Sequence, residues 1–170
     1  DTNETGKFPA VIAFNAAAGS SPTALAYVPT PSGAHTGELL VAYSGALNTE
    51  LDNTTNLNYA IVMYDVDETT ANAATISNTA TVLYSDFSNI FGISAMAFDS
   101  ATNTLYVATA SQPGLANQAT QAYGYKIEKF TLNLAATTTP ILTLVRDANN
   151  KPFIDRSSLT KCITSMTIGN

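Results

Sequence analysis

Thirteen acids, one histidine and one cysteine are the groups this 170-residue chain can bring to chemistry. A Ser-His-Asp relay needs a histidine base. His35 is the single candidate, in Pro31-Ser32-Gly33-Ala34-His35-Thr36-Gly37, a segment that reads as an exposed loop, so His35 is expected to be solvated rather than catalytic. Cys162 has no partner for an internal disulfide and excludes metal or redox motifs built on paired cysteines. It reads as a small buried hydrophobe. With one histidine and one cysteine, zinc would need a mostly carboxylate site, which zinc seldom uses. Asp65-Val66-Asp67-Glu68 offers alternate oxygen ligands of the kind calcium takes, yet it follows a strand-like run and reads more simply as a solvated turn. No glycine-rich phosphate loop is present. The expectation is therefore no catalytic residue, no metal site and no cofactor.

Binding is better supplied than catalysis. Two long polar segments, Gly45 to Asn58 and Ser111 to Gly124, are rich in amide side chains. Long loops on a rigid scaffold are where binding function concentrates. The candidates for a ligand face are Asn48, Asp52 and Asn53 in the first, and Gln112, Asn117, Gln118, Gln121 and Tyr123 in the second. Amides beside a tyrosine suit a glycan or a protein surface without net charge. Asn3-Glu4-Thr5 and Asn53-Thr54-Thr55 match the glycosylation acceptor, a short pattern that arises readily by chance.

The elements that would hold these loops are strands. Ile93 to Asp99 alternates, Ser100-Ala101-Thr102-Asn103 is turn chemistry, and Thr104 to Ala110 is almost wholly apolar, which together predict a β-hairpin. Upstream, Thr23 to Val28 resembles its first arm and Glu38 to Ser44 its second. Tyr59 to Asp65 and Thr79 to Tyr84 read as third and fourth strands, and Lys7 to Phe14 as an outer strand with Pro9 near its start. The series restarts at Ile93, continues through Tyr125 to Thr131 and Pro140 to Val145, and begins a third time at Cys162 to Ile168. Ala26 to Ala97 is 71 residues and Ala97 to Thr167 is 70.

A period of that kind marks a repeated supersecondary unit, and four strands per unit predict an all-β chain of β-propeller blades, each of four antiparallel strands. Side-chain size agrees. Where blades converge, one face of the innermost strand needs small residues, and Ala24 and Ala26, Ala95 and Ala97, and Ser165 and Thr167 stand at matching places. Leu25, Met96 and Met166 fall on the opposite face, as a period of two requires. Second strands are apolar on both faces, and the charges of Lys126, Glu128 and Lys129 suit a third strand nearer the rim. The expected division is a leader and outer strand over 1–20, a blade over 21–85, a second over 86–146, and an inter-blade loop with the first strand of a further blade over 147–170. The alternative is a β-sandwich, which also uses many short strands with polar turns but predicts no such period.

Ala97-Phe98-Asp99-Ser100-Ala101-Thr102-Asn103-Thr104-Leu105-Tyr106-Val107-Ala108-Thr109 resembles the repeat of the YVTN and NHL-like bacterial β-propellers, an apolar strand, a polar turn and a Leu-Tyr-Val strand followed by one like Ile127 to Thr131. The usual Asp-Gly turn is replaced here, and the first unit has Leu39-Leu40-Val41. The absence of tryptophan excludes the tryptophan-aspartate repeat, and no paired glycines of the kelch type occur. The resemblance implies a fold and a tendency to bind, and carries over no catalytic residue. Two blades and one strand do not close a ring, since propellers have roughly four to eight blades. The expectation is a segment of a longer protein, or copies that assemble and share strands.

Composition narrows the partners. A formal net charge of −6 with seven Lys and Arg disfavours nucleic acid and anionic membranes. Charged residues are 12% of the chain, against roughly 25% in average domains, so Thr, Asn, Ser and Gln must cover the surface. That suits a secreted, periplasmic or cell-surface protein, and Asp1 in place of methionine fits a removed signal peptide. The longest charge-free stretch, Phe8 to Gly37, holds four prolines and is no spanning helix, so no membrane insertion is expected. A non-enzymatic module for binding or scaffolding is the expected function. The rivals are a strand-sharing assembly subunit and a calcium-dependent propeller hydrolase or lactonase. The hydrolase would need acids converging on the axis, where inner strands carry Ala, Ser and Thr.

Overall fold

The computed structural model describes residues 20–29, 37–45, 59–67, 75–76, 81–85, 87–90, 92–110, 125–135, 141–156 and 163–169. They form an all-β structure of two antiparallel five-stranded sheets. Sheet I contains β1 (Ser20–Pro29), β2 (Gly37–Gly45), β3 (Tyr59–Asp67), β4 (Thr75–Ile76) and β5 (Thr81–Ser85). After the single turn of α1 (Phe87–Ile90), sheet II contains β6 (Ile93–Asp99), β7 (Thr104–Ala110), β8 (Tyr125–Leu132), β9 (Leu142–Val145) and β10 (Ile154–Arg156). Among the described residues the sheets do not close into a barrel or ring.

Local chemistry explains the joints. Gly92 follows α1 at φ 57°, the left-handed conformation glycine takes at no steric cost. Pro22 and Pro29 sit in β1, which among the described residues pairs only with β2, so their missing N–H groups break no central ladder there. In the hairpin of β6 and β7, the Asp99 carboxylate accepts hydrogen bonds from Ala101 N–H (2.9 Å) and the Thr102 hydroxyl (2.7 Å), and Asn103 closes the turn at φ 51°. The Thr102 hydroxyl, aided by backbone N–H donors, holds the Asp99 carboxyl below the ordinary carboxylate range. A lowered folded-state pKa contributes stability that is present above the unfolded pKa and is lost as pH falls through the folded one. Asp99→Ala is therefore expected to be less stable than the parent at about pH 6 and to converge on it as pH falls through the lowered folded-state pKa. Urea midpoints across that range check this, and a gap that stayed constant would show that the backbone alone holds the turn.

The two sheets are alike in pairing. β1 and β2 slip register between Pro22 and Ala24, and β6 and β7 between Ile93 and Ala95, so Thr23 and Ser94 each stand at a bulge. Thr23 turns the irregularity to use by donating from Oγ1 to the Ala42 carbonyl at 3.5 Å. Beyond the bulges Ala26 faces Leu40 and Ala97 faces Tyr106, and these continue to Met63 and Lys129. The outer edge of each third strand is shared by two short strands. β4 pairs one end of β3 and β5 the other, while β9 and β10 divide β8 in the same way.

Directly paired residues share a face, so the register assigns every side chain. The front of sheet I carries Leu25, Leu39, Val41, Tyr43, Val62 and Tyr64; its back carries Ala26, Val28, Leu40, Ala42 and Ile61. The front of sheet II carries Met96, Leu105, Val107, Glu128 and Phe130; its back carries Ala95, Ala97, Tyr106, Ala108 and Ile127. One core joins the back of sheet I to the front of sheet II, with Ala26, Leu40, Ala42 and Ile61 against Met96, Leu105, Val107 and Phe130. A second cluster, Val41, Tyr43, Ala60, Val62 and Tyr64, is buried on the front of sheet I, so that sheet is covered on both faces.

Three expectations change. Asp65 and Asp67 lie within β3, opposite Glu38 and Thr75, not in a turn after it. Segment 163–169 forms no strand although its sequence alternates, because no ladder partner lies beside it among the described residues. Glu128 is not at a solvated rim but fully buried, because Arg146 comes across from the end of β9 to cover it. Lys7 to Phe14, His35, Glu68 and Cys162 lie outside the described residues.

Candidate functional site

All eight loop residues expected to form a ligand face, Asn48, Asp52, Asn53, Gln112, Asn117, Gln118, Gln121 and Tyr123, lie outside the described residues. Three other places carry the chemistry: a polar cluster between the sheets and two open apolar grooves.

The cluster is built on β8. Lys126 and Glu128 stand two residues apart on its front, followed on the same face by Phe130 and Leu132. Arg146, just past β9, reaches back so that Nε and Nη2 donate to Glu128 Oε2 (3.1 Å) and Oε1 (2.5 Å). Lys126 Nζ lies 3.1 Å from the same carboxylate. Arg146 Nη2 also donates to Asn89 Oδ1 at 2.7 Å, and Asn89 Nδ2 donates to the Tyr84 hydroxyl at 3.2 Å. One chain of contacts thus joins β8, β9, α1 and β5. A carboxylate held by two cations and closed to solvent serves as a clamp between the elements that supply them. Beside the Lys126 end, Thr109 Oγ1 is buried without a hydrogen-bond partner. Nothing local in the sequence announces the arginine. The signal for a buried pair was the charge on an otherwise apolar face of β8.

The first groove, of about 610 Å³, lies on the front of sheet I and is lined by Pro22 to Leu25 with Leu39, Val41 and Tyr43. At one end the Tyr27 ring lies over Gly37, where any added Cβ would overlap it. At the other the Tyr43 and Tyr64 hydroxyls meet at 3.4 Å, and burial together with that contact raises the Tyr64 phenol pKa. The second groove, of about 400 Å³, lies on the back of sheet II among Ala97, Tyr106, Ile127, Phe153, Met166 and Ile168, with Asp99 and Thr167 as its polar members. The Phe153 ring leans on Tyr106 with centroids 5.2 Å apart. Such linings accept apolar side chains and offer little to a charged substrate.

Among the described residues no three His, Cys, Asp or Glu side chains group so as to hold a metal ion, and no helix is long and apolar enough to cross a membrane. Compared with known proteins, the chain matches no protein-family model, no curated protein and no solved structure.

Proposed function

We propose that the chain is a non-enzymatic segment of a β-propeller of the YVTN and NHL-like kind, a secreted or cell-surface module that binds a protein or glycan, or scaffolds, through one loop face. The observation that carries this reading is the direction of stacking. The back of sheet I packs on the front of sheet II, so two similar sheets face the same way, as successive blades do. A two-layer sandwich instead joins two inner faces and leaves both outer faces to solvent. Here the front of sheet I is also buried. The low charge and the Asn- and Gln-rich segments support an extracellular binding role.

The test is an array of neutral glycans probed with the purified chain and with the Gln118→Ala, Gln121→Ala, Tyr123→Ala triple variant. Wild-type binding that falls at least tenfold in the variant, with far-UV circular dichroism unchanged, is the expected result. Binding that survives the variant would move the site off this loop, and no binding to any glycan would turn the reading to protein binding or scaffolding. The apolar grooves favour a second reading, assembly of several copies.

A further inference from the structure

We propose that the cluster around Glu128 is the site of an internal covalent cross-link, an amide bond from Lys126 Nζ to Asn89 Cγ formed with loss of ammonia. The two side chains come from different elements, β8 and α1, and meet at one pair of charges. Lys126 Nζ lies 3.1 Å from Glu128 Oε1. Asn89 Oδ1 accepts from Arg146 Nη2, which also donates to that same Oε1. An amine, a carboxylate and a carboxamide are the groups such a condensation needs, and each has a role here. Glu128, fully buried and in contact with the amine, is the base. Arg146 Nη2, 2.7 Å from Oδ1, is a charged donor placed where the oxygen gains charge once its carbon is attacked. The leaving nitrogen, Asn89 Nδ2, rests 3.2 Å from the Tyr84 hydroxyl.

The steps balance without a further reagent. Glu128 takes a proton from the Lys126 ammonium, and the lone pair of the neutral Nζ attacks Asn89 Cγ. The C=O π pair moves onto Oδ1, held by Arg146. A second proton passes from Nζ to Nδ2, the pair on Oδ1 returns, and the bond from Cγ to Nδ2 breaks. Ammonia leaves with the proton that Glu128 held, so the products are the amide and ammonium, nothing is oxidised, and Glu128 is again a carboxylate paired with Arg146. Closure of the carboxylate to solvent limits hydrolysis of the same carbon. Groups held in one site react at effective concentrations that free partners never reach. The flexible lysine stem supplies the last approach, to the roughly 3–3.5 Å of a reactive pose. The bond forms once in each chain, so the site turns nothing over and the non-enzymatic reading stands. It ties α1 to β8 and closes a loop that contains β6 and β7, a cross-link of the kind that stabilises by restricting the unfolded chain.

The experiment is the denatured mass of the purified chain, with Lys126→Arg and Asn89→Ala beside it. The parent is expected to be lighter than its sequence by one ammonia, about 17 Da, and its digest to hold one branched peptide that carries both Asn89 and Lys126. Both variants are expected at full sequence mass. Lys126→Arg keeps a cation beside Glu128, and circular dichroism verifies that it folds. Arg146→Ala lacks the donor to Asn89 Oδ1 and is expected to form the bond at least about a hundredfold more slowly. A folded parent that stays at full mass overturns the inference. So does an ammonia loss that persists in Lys126→Arg, which traces to a succinimide at an asparagine, or a parent digest with Asn89 and Lys126 in separate peptides.

Discussion

Arg146→Ala is expected to cost about 3–5 kcal/mol of folding stability, the range for removing one partner of a buried ion pair. Glu128 is fully buried, and both carboxylate oxygens accept from the Arg146 guanidinium. Truncation leaves the carboxylate with Lys126 alone, whose side chain is 16% exposed and must share its ammonium with water. Asn89 loses its donor as well, which loosens α1 from sheet II. Urea unfolding measures the loss. The control is Glu128→Leu with Arg146→Met, which removes the buried carboxylate and its arginine together and leaves the partly exposed Lys126 ammonium to water; it is expected to cost far less than Arg146→Ala, because desolvating an ion pair offsets much of its attraction. A loss below about 1 kcal/mol in the single variant would place the pair with solvent-screened surface bridges and remove its role as a clamp.

What could be read from the sequence was what neighbours in the chain determine. Alternation and the Ser100 to Asn103 turn gave the hairpin of β6 and β7, where Asp99 caps the turn and Asn103 takes a positive φ. The small residues Ala26 and Ala97 marked the faces of the first strands. Distant partners left no such mark. Arg146 lies 18 residues from Glu128 and 57 from Asn89, so charges on β8 read as a rim until the arginine is seen to cover them. β4, with two residues, and β10, with three, are too short to show a period. Segment 163–169 shows the opposite case, a strand pattern without a strand, because a ladder needs a partner that the pattern cannot supply. The grooves were equally hidden, since the first depends on the register of two strands and the second gathers residues from five separate segments. The amide-rich candidates rested on composition alone and lie outside the described residues.

Phe130→Ala is expected to cost about 3–5 kcal/mol, the loss typical of a fully buried aromatic whose cavity cannot collapse. The ring stands on the front of sheet II and meets Tyr84 of sheet I edge-to-face, with centroids 4.9 Å apart and planes at 73°. Tyr84 is held in turn by Asn89 and, through it, by Arg146. The ring contact therefore couples the sheets, and a cycle with Tyr84→Leu is expected to return a coupling of about 0.5–1.5 kcal/mol. Its consequence reaches past local packing. If the sheets are one cooperative unit, Phe130→Ala lowers amide-exchange protection in β2 and β3 as much as in β7 and β8, and unfolding remains a single transition. Protection lost from sheet II alone would mean that each sheet folds on its own. In that case the two sheets would not act as one stacked unit, so this one substitution tests both the core they share and the reading of them as successive blades.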